Sequence, residues 1–238
     1  MDKGLREAIE AFDPTIPIGE ASTPPSSWYT EPEMLALERR SVFRNHWVAV
    51  GCAADVDTPG RFVSGTLIGD PYIIVRSQDG ALRAFDNVCR HHATTLVRGD
   101  GCADRFQCPY HGWTYDLDGR LTSAPRMAGV AAFNRESMGL LKRHAATWGP
   151  LLFLYMGNDP PDLNTVLAPL AKRLEPATWS TLTWSGREDH AVESNWKVYV
   201  DNYLDGGYHV PTLHKGLTED LDMSTYTTEL LDTASIQR

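Results

Sequence analysis

The chain has 238 residues, 42% hydrophobic and 22% charged, and its 22 Lys and Arg against 31 Asp and Glu give a net charge of −9. That length can bury one large or two modest cores, and no apolar run nears the roughly 18 residues of a membrane helix. The acid excess without any basic run excludes nucleic acid and anionic membrane as partners. Four cysteines, Cys52, Cys89, Cys102 and Cys108, are too few for a disulfide scaffold. The start, MDKGLREAIEAFDP, lacks a signal-peptide core and an acid-poor transit composition, so a cytoplasmic protein is expected.

In chain order, residues 1–27 are rich in Pro, Ser and Thr and read as an arm. Thr30-Glu31-Pro32-Glu33 has the form of a capping box with Pro in the first turn, which predicts a helix from Thr30 to about Phe43. From Trp47 to Met156 short apolar runs alternate with Gly, Asp and Pro. The runs Trp47–Val50, Arg61–Val63, Tyr72–Val75, Leu82–Phe85 and Leu151–Met156 predict a small antiparallel β-domain, with a hairpin at Asp118-Gly119. Gly157-Asn158-Asp159-Pro160-Pro161 marks a boundary, followed by an amphipathic helix over Asp162–Leu174. A strand near Ser180–Trp184, a helix from about Ser194 and a lone strand-like stretch over Ser224–Ile236 complete the chain.

Two constellations carry chemistry. Cys89-Arg90-His91 and Cys108-Pro109-Tyr110-His111 are C-x-H and C-x2-H pairs separated by 16 residues. Structural zinc sites usually place cysteines in one half and histidines in the other. A mixed pair in each half suits a binuclear cluster, where two histidines replace two cysteines on one iron. The stretch CPYHGW, Cys108–Trp113, resembles the Rieske family. That resemblance implies a [2Fe–2S] cluster with Cys89 and Cys108 on one iron and His91 and His111 on the other. Mixed Cys2His2 zinc is the alternative. His92 reads as a surface or supporting residue, Cys102 as loop filler and Cys52 as a small buried side chain.

The second constellation runs from Asn195 through N-W-K, D-N-Y-L-D-G-G-Y-H-V-P and His214. His209 and His214 are five residues apart, about 140° around a straight helix, too far to share an ion without a break. Gly206-Gly207 and Pro211 supply breaks, and Asp205 lies four residues before His209. Two histidines and a carboxylate on one face of Fe(II) are the donor set of O₂ activation. With the Rieske motif upstream, the stretch resembles the catalytic domain of Rieske oxygenase alpha subunits, and its D-G-G-Y-H form looks most like the choline-oxidising members. The resemblance implies mononuclear Fe(II) on His209 and His214. It implies that Asp205 is the acid joining cluster and iron across a subunit boundary, and that Asn202 is a polar residue lining the site.

The implied fold is α+β: an arm and helix over 1–44, an antiparallel β Rieske domain over 45–156, and the opening part of an α+β catalytic domain over 157–238. The family's third iron ligand is a downstream Asp. The acids after His214 are Glu219, Asp220, Asp222, Glu229 and Asp232, each reading as a surface charge, so a C-terminally incomplete catalytic domain is expected. The implied function is hydroxylation of a small organic substrate, choline or another quaternary ammonium compound. The implied partners are a ferredoxin or flavin reductase, O₂ and, at full length, two further copies in a homotrimer. The alternatives are a Rieske electron carrier without oxygenase activity and an aromatic-ring-hydroxylating dioxygenase.

Overall fold

The computed structural model describes residues 3–174, 179–205, 207–231 and 234–237. The chain divides into two compact units, one of Glu38–Gly186 and one of Met1–Leu37 with Arg187–Arg238. No described helix is long and apolar enough to cross a membrane.

The larger unit is antiparallel throughout. Seven strands form one sheet: β1 (Val48–Cys52), β2 (Arg61–Leu67), β3 (Asp70–Arg76), β4 (Leu82–Asp86), β5 (Asp100–Cys102), β9 (Lys142–Trp148) and β10 (Leu151–Tyr155). Their spatial order is β1-β10-β9-β4-β3-β2-β5, while β6 (Arg105–Gln107), β7 (Thr114–Asp116) and β8 (Leu121–Ser123) make a second, three-stranded sheet. The five predicted apolar runs are strands β1 to β4 and β10. Side chains alternate across a strand, and β3 shows the result. Ile73 and Val75 join a core with Phe85, Phe106, Trp113 and Tyr115, while Tyr72 and Ile74 join another with Val56, Leu152 and Leu154. A strand buried on both faces reads as a continuous apolar run, which is why β3 was legible. Strands β5, β6 and β9 were not predicted; β9, KRHAATW, is partly exposed and has no such run.

Gly119 holds the predicted hairpin between β7 and β8. Its φ is +81°, and its N–H donates to the Asp116 carbonyl at 3.0 Å. A methyl there would lie 2.4 Å from Cε1 of the fully buried Phe85. Gly119→Ala is therefore expected to cost about 2–4 kcal/mol, from left-handed strain and overpacking together. Urea unfolding of the larger unit measures it, and an unchanged midpoint would show that the turn relaxes freely.

Several expectations near the ends need correction. The helix starts at Pro32, not Thr30: α2 covers Ser27–Thr30 and α3 covers Pro32–Glu38, followed by a π-helical turn over Arg39–Phe43. Glu31, held extended before the proline (ψ 123°), separates α2 from α3, and the Thr30 hydroxyl turns back to the Ser26 carbonyl at 3.1 Å. The arm contains a helix, α1 (Lys3–Glu10), whose Leu5 is buried. Residues 179–181 form a 3₁₀ turn and the described chain continues as coil, so the strand near Ser180–Trp184 is absent. The predicted amphipathic helix is α4 (Leu163–Leu174), begun by Asp162, which accepts from Thr165 N–H at 2.8 Å.

The smaller unit holds α5 (Trp196–Leu204), α6 (Val210–Leu213), α7 (Lys215–Asp220), and strands β11 (Thr228–Leu230) and β12 (Ser235–Gln237). These two strands pair with each other, so the predicted lone strand is a hairpin. Asn195 caps α5 by accepting from Lys197 N–H at 3.1 Å. The arm is tied to α5 by the Tyr29 hydroxyl, 2.7 Å from Asp201, and by Asn195 Nδ2, 3.1 Å from the Tyr29 carbonyl. The Asp201 carboxylate accepts the phenolic proton, and burial adds to this, pushing the Tyr29 pKa up to about 12.

Candidate metal centres

The first constellation is two loops with the same backbone wiring. In one, Cys89 N–H donates to the Thr94 carbonyl at 2.9 Å and the Cys89 carbonyl accepts from Ala93 N–H at 3.0 Å. In the other, Cys108 N–H donates to Trp113 at 2.7 Å and the Cys108 carbonyl accepts from Gly112 N–H at 3.0 Å. The fourth residue after each cysteine is left-handed: Ala93 at φ 56° and Gly112 at φ 72°. Different sequences thus reach one loop shape, each presenting a cysteine and a nearby histidine.

Burial separates the donors by type. Cys89 and Cys108 are 2% and 3% exposed and belong to the core between the sheets. His111 is exposed and His91 half-buried, their ring centroids 4.8 Å apart. His91 stacks on Trp113 at 4.6 Å and 7°, and Tyr110 stacks on His111 at 3.8 Å. Burial, then the neighbouring His92 and His111, lower the His91 pKa, which favours the neutral ligating imidazole. Trp113 Nε1 and His91 Nδ1, on the two stacked rings, are buried polar atoms without a partner. Unpaired buried groups are costly, and a polar group bound between the loops would satisfy them. Thiols inside, imidazoles outside and orphaned donors around them fit a Rieske cluster; buried cysteines without such donors would not.

His92 is exposed, its ring 4.0 Å from His91 and 5.3 Å from His111. These three histidines form the one group of three or more close donors found among the described residues. Cys102 is exposed and Cys52 is buried.

Two supporting residues escaped the sequence reading. Buried Asn87 braces the first loop, its Oδ1 accepting from Leu96 and Val97 N–H at 3.0 and 3.2 Å and its Nδ2 donating to the Val97 carbonyl at 2.8 Å. Buried Tyr115 places its hydroxyl 3.4 Å from Cys89 Sγ while accepting from Arg90 N–H at 3.0 Å. Burial, then the Cys89 contact, push the Tyr115 pKa upward. An inward Tyr two residues after the Trp of CPYHGW was the available signal.

At the second constellation the helix breaks as expected. Helix α5 ends at Leu204, Gly207 takes φ 71°, and the four-residue α6 lies between His209 and His214. The two rings come within 5.2 Å of each other. Asp205 Oδ2 meets His209 Nδ1 at 2.5 Å and Oδ1 accepts from Gly207 N–H at 2.9 Å. With Nδ1–H donated to Asp205, the Nε2 lone pair of His209 is free for a metal. Asn202, on α5, is exposed and makes no side-chain hydrogen bond among the described residues. No third close donor joins His209 and His214 among them, and Gly206 and Asp232 lie outside the described residues. Glu219, Asp220 and Asp222 are exposed. A pocket of about 570 Å³ adjoins the site, lined by Asp205, Tyr208, Met223 and Tyr226 among others.

Comparison with known proteins agrees with both halves. Residues 46–134 match the Rieske [2Fe–2S] domain, and residues 179–234 match the catalytic domain of the ring-hydroxylating alpha subunit. The chain is 40% identical to the chloroplastic choline monooxygenase of Arabidopsis thaliana over 98% of its own length and 58% of that protein's. It is 31% identical to the carnitine monooxygenase oxygenase subunit of Acinetobacter baumannii, over 87% of this chain and 56% of the relative. A crystal structure of a quaternary ammonium Rieske monooxygenase with L-carnitine superimposes with a TM-score of 0.82 at 28% identity, covering 90% of this chain and 61% of that one. The chain thus spans less than two thirds of the relatives it matches. By fold and sequence it belongs to the Rieske oxygenase alpha-subunit family.

Proposed function

We propose that this chain works in an oxygenase that oxidises a quaternary ammonium compound such as choline. In this reading Cys89, His91, Cys108 and His111 hold a [2Fe–2S] cluster, and His209 and His214 hold a mononuclear Fe(II). When bound, that iron supplies O₂ activation. The chain's residues provide the rest. The two loops place thiolates inward and imidazoles at the surface, where electrons leave the cluster. Asp205 orients His209 and is the bridging acid toward a neighbouring subunit's cluster in a homotrimer, while Asn202 lines the approach. The donor of electrons is a ferredoxin or flavin reductase.

The observation that carries the reading is the sorting of buried cysteines from outer histidines by two identically wired loops. Elemental analysis tests it: two irons and two labile sulfides per chain are expected, with a reduced EPR signal of average g below 2. Stoichiometric zinc without sulfide would overturn it. A pure electron carrier needs only these loops and has no use for the Asp205–His209 pair, so the oxygenase reading is preferred.

Support for the substrate comes from the relatives' names and from the pocket beside His209. A bulky cation lacks hydrogen-bonding protons on its charged end and is held by aromatic faces; Tyr208 and Tyr226 line the pocket. In an oxygenase of the relatives' full length, choline, carnitine and glycine betaine should give product with reductase and NAD(P)H. Product from naphthalene or benzoate alone would favour ring hydroxylation. A cytoplasmic location belongs to the same proposal; the Arabidopsis relative is named chloroplastic and the Acinetobacter one is not.

The cluster's potential should respond to Tyr115. Its hydroxyl lies 3.4 Å from Cys89 Sγ, and a ligating thiolate has no proton to give, so with the cluster bound the phenol is the donor. A donor to a thiolate stabilises the more negative, reduced cluster. Tyr115→Phe is expected to lower the potential by about 65–130 mV, the one-electron equivalent of one hydrogen bond to a charged group. Protein-film voltammetry reads it, and an unchanged value would remove that role.

A further inference from the structure

Arg90 stands between Cys89 and His91, yet its guanidinium has no hydrogen-bond or ion-pair partner among the described residues and its Nε is buried. It lines a pocket of about 530 Å³ on the larger unit, together with Lys142 and Glu136 and the ends of Arg83 and Arg120. The pocket's other acids are already neutralised. Asp79 pairs with Arg83 at 2.9 Å, while Asp118 pairs with Arg83 at 3.3 Å and Arg120 at 3.7 Å and accepts from Ser77 at 2.8 Å. Lys142, like Arg90, has no acidic partner among the described residues, which leaves exposed Glu136 as the single opposing charge.

The chain as a whole carries −9. An acidic protein is repelled over most of such a surface and attracted only where cations converge. The geometry points to this pocket as the docking site for an acidic electron-donor protein, with Arg90 receiving a carboxylate of the donor. The inference rests on the cluster reading above, and it places the donor one residue along the chain from both a thiolate and an imidazole. The step is a single electron leaving the donor's reduced [2Fe–2S] centre and entering the oxidised Rieske cluster; no bond or proton moves. The direction is downhill, because plant-type ferredoxins have lower reduction potentials than Rieske centres.

The test is stopped-flow reduction of the oxidised 238-residue chain by a reduced, acidic plant-type ferredoxin, set beside reduced methyl viologen, a small cation. Arg90→Gln and Lys142→Glu should each slow the ferredoxin reaction several-fold at low salt and about tenfold together, in line with single charges at a docking rim. Glu136→Gln should accelerate it, and high salt should compress all these differences. The visible spectrum and the viologen rate should not change. Equal ferredoxin rates in chains that retain the cluster spectrum would overturn the docking site alone. Equal slowing with viologen would also overturn it, by showing that Arg90 acts on the cluster. Lys142 lies far in sequence from the ligand loops, so its variant decides the question if Arg90→Gln loses the cluster. An unsubstituted chain with no Rieske spectrum would overturn this inference and the proposed function together.

Discussion

Cys108→Ser is expected to give a colourless chain with almost no bound iron or sulfide. Cys108 is 3% exposed, and its N–H and carbonyl are both tied into the loop, so a serine keeps the backbone in place. The hydroxyl remains protonated at neutral pH and cannot replace a thiolate. One of four attachments is lost, and the remaining donors face a buried hydroxyl with no partner, a penalty of about 1–3 kcal/mol. Metal binding is folding free energy where the site forms only in the folded chain, so the urea midpoint of the larger unit should fall as well. Iron and sulfide analysis with the visible spectrum decides it. Full cluster content in the serine variant would mean that Cys108 is not a ligand.

The reach of the sequence can be seen in particular elements. Strands β3 and β10 were legible because two-sided burial demands continuous apolar residues, Tyr72–Val75 and Leu151–Tyr155. The same reasoning misses β9, whose residues are mostly half-exposed, and the three-residue β5 and β6. At Thr30 a local motif misled: Thr30 can cap forward or bond backward, and Pro32 forces the break that selects the second. The end of the chain read as a strand without a partner because residues 231–234 carry no strong turn signal, although Leu231 N–H reaches the Ala234 carbonyl at 2.8 Å.

The candidate sites divide in the same way. Their cysteines and histidines were legible from spacing, because ligand geometry demands particular residue types at short separations. The residues that hold those side chains were not. Asn87 acts through three hydrogen bonds nine and ten residues away, and Tyr115 acts across a gap of 26 residues. Such contacts exist only once the sheets are packed. Arg90 was in plain view between two predicted ligands, but only the folded chain shows its guanidinium unpaired over a pocket.

Asp205 tests the second centre most severely. Its two oxygens do different things: Oδ1 accepts from Gly207 N–H, closing the turn after α5, and Oδ2 meets His209 Nδ1 at 2.5 Å. The first fixes the bend that lets His209 and His214 approach, and the second fixes the tautomer that frees His209 Nε2. Removing a group that orients a ligating histidine typically costs 10- to 100-fold in metal affinity. Asp205→Ala removes both contacts, so Fe(II) affinity in the anaerobic chain should fall by about 100-fold on that scale. Asp205→Asn offers one oxygen for two donors and no charge; it should bind iron within about tenfold of the parent. In an oxygenase of the relatives' full length the same Asn variant should keep both metals yet transfer electrons between subunits far more slowly, since the anion between the histidines is gone. Titration with Fe(II) reads the first effect and single-turnover oxidation of the reduced cluster reads the second. Unchanged iron affinity in Asp205→Ala would free His209 from Asp205, and unchanged turnover in Asp205→Asn would show that electrons do not pass through this carboxylate.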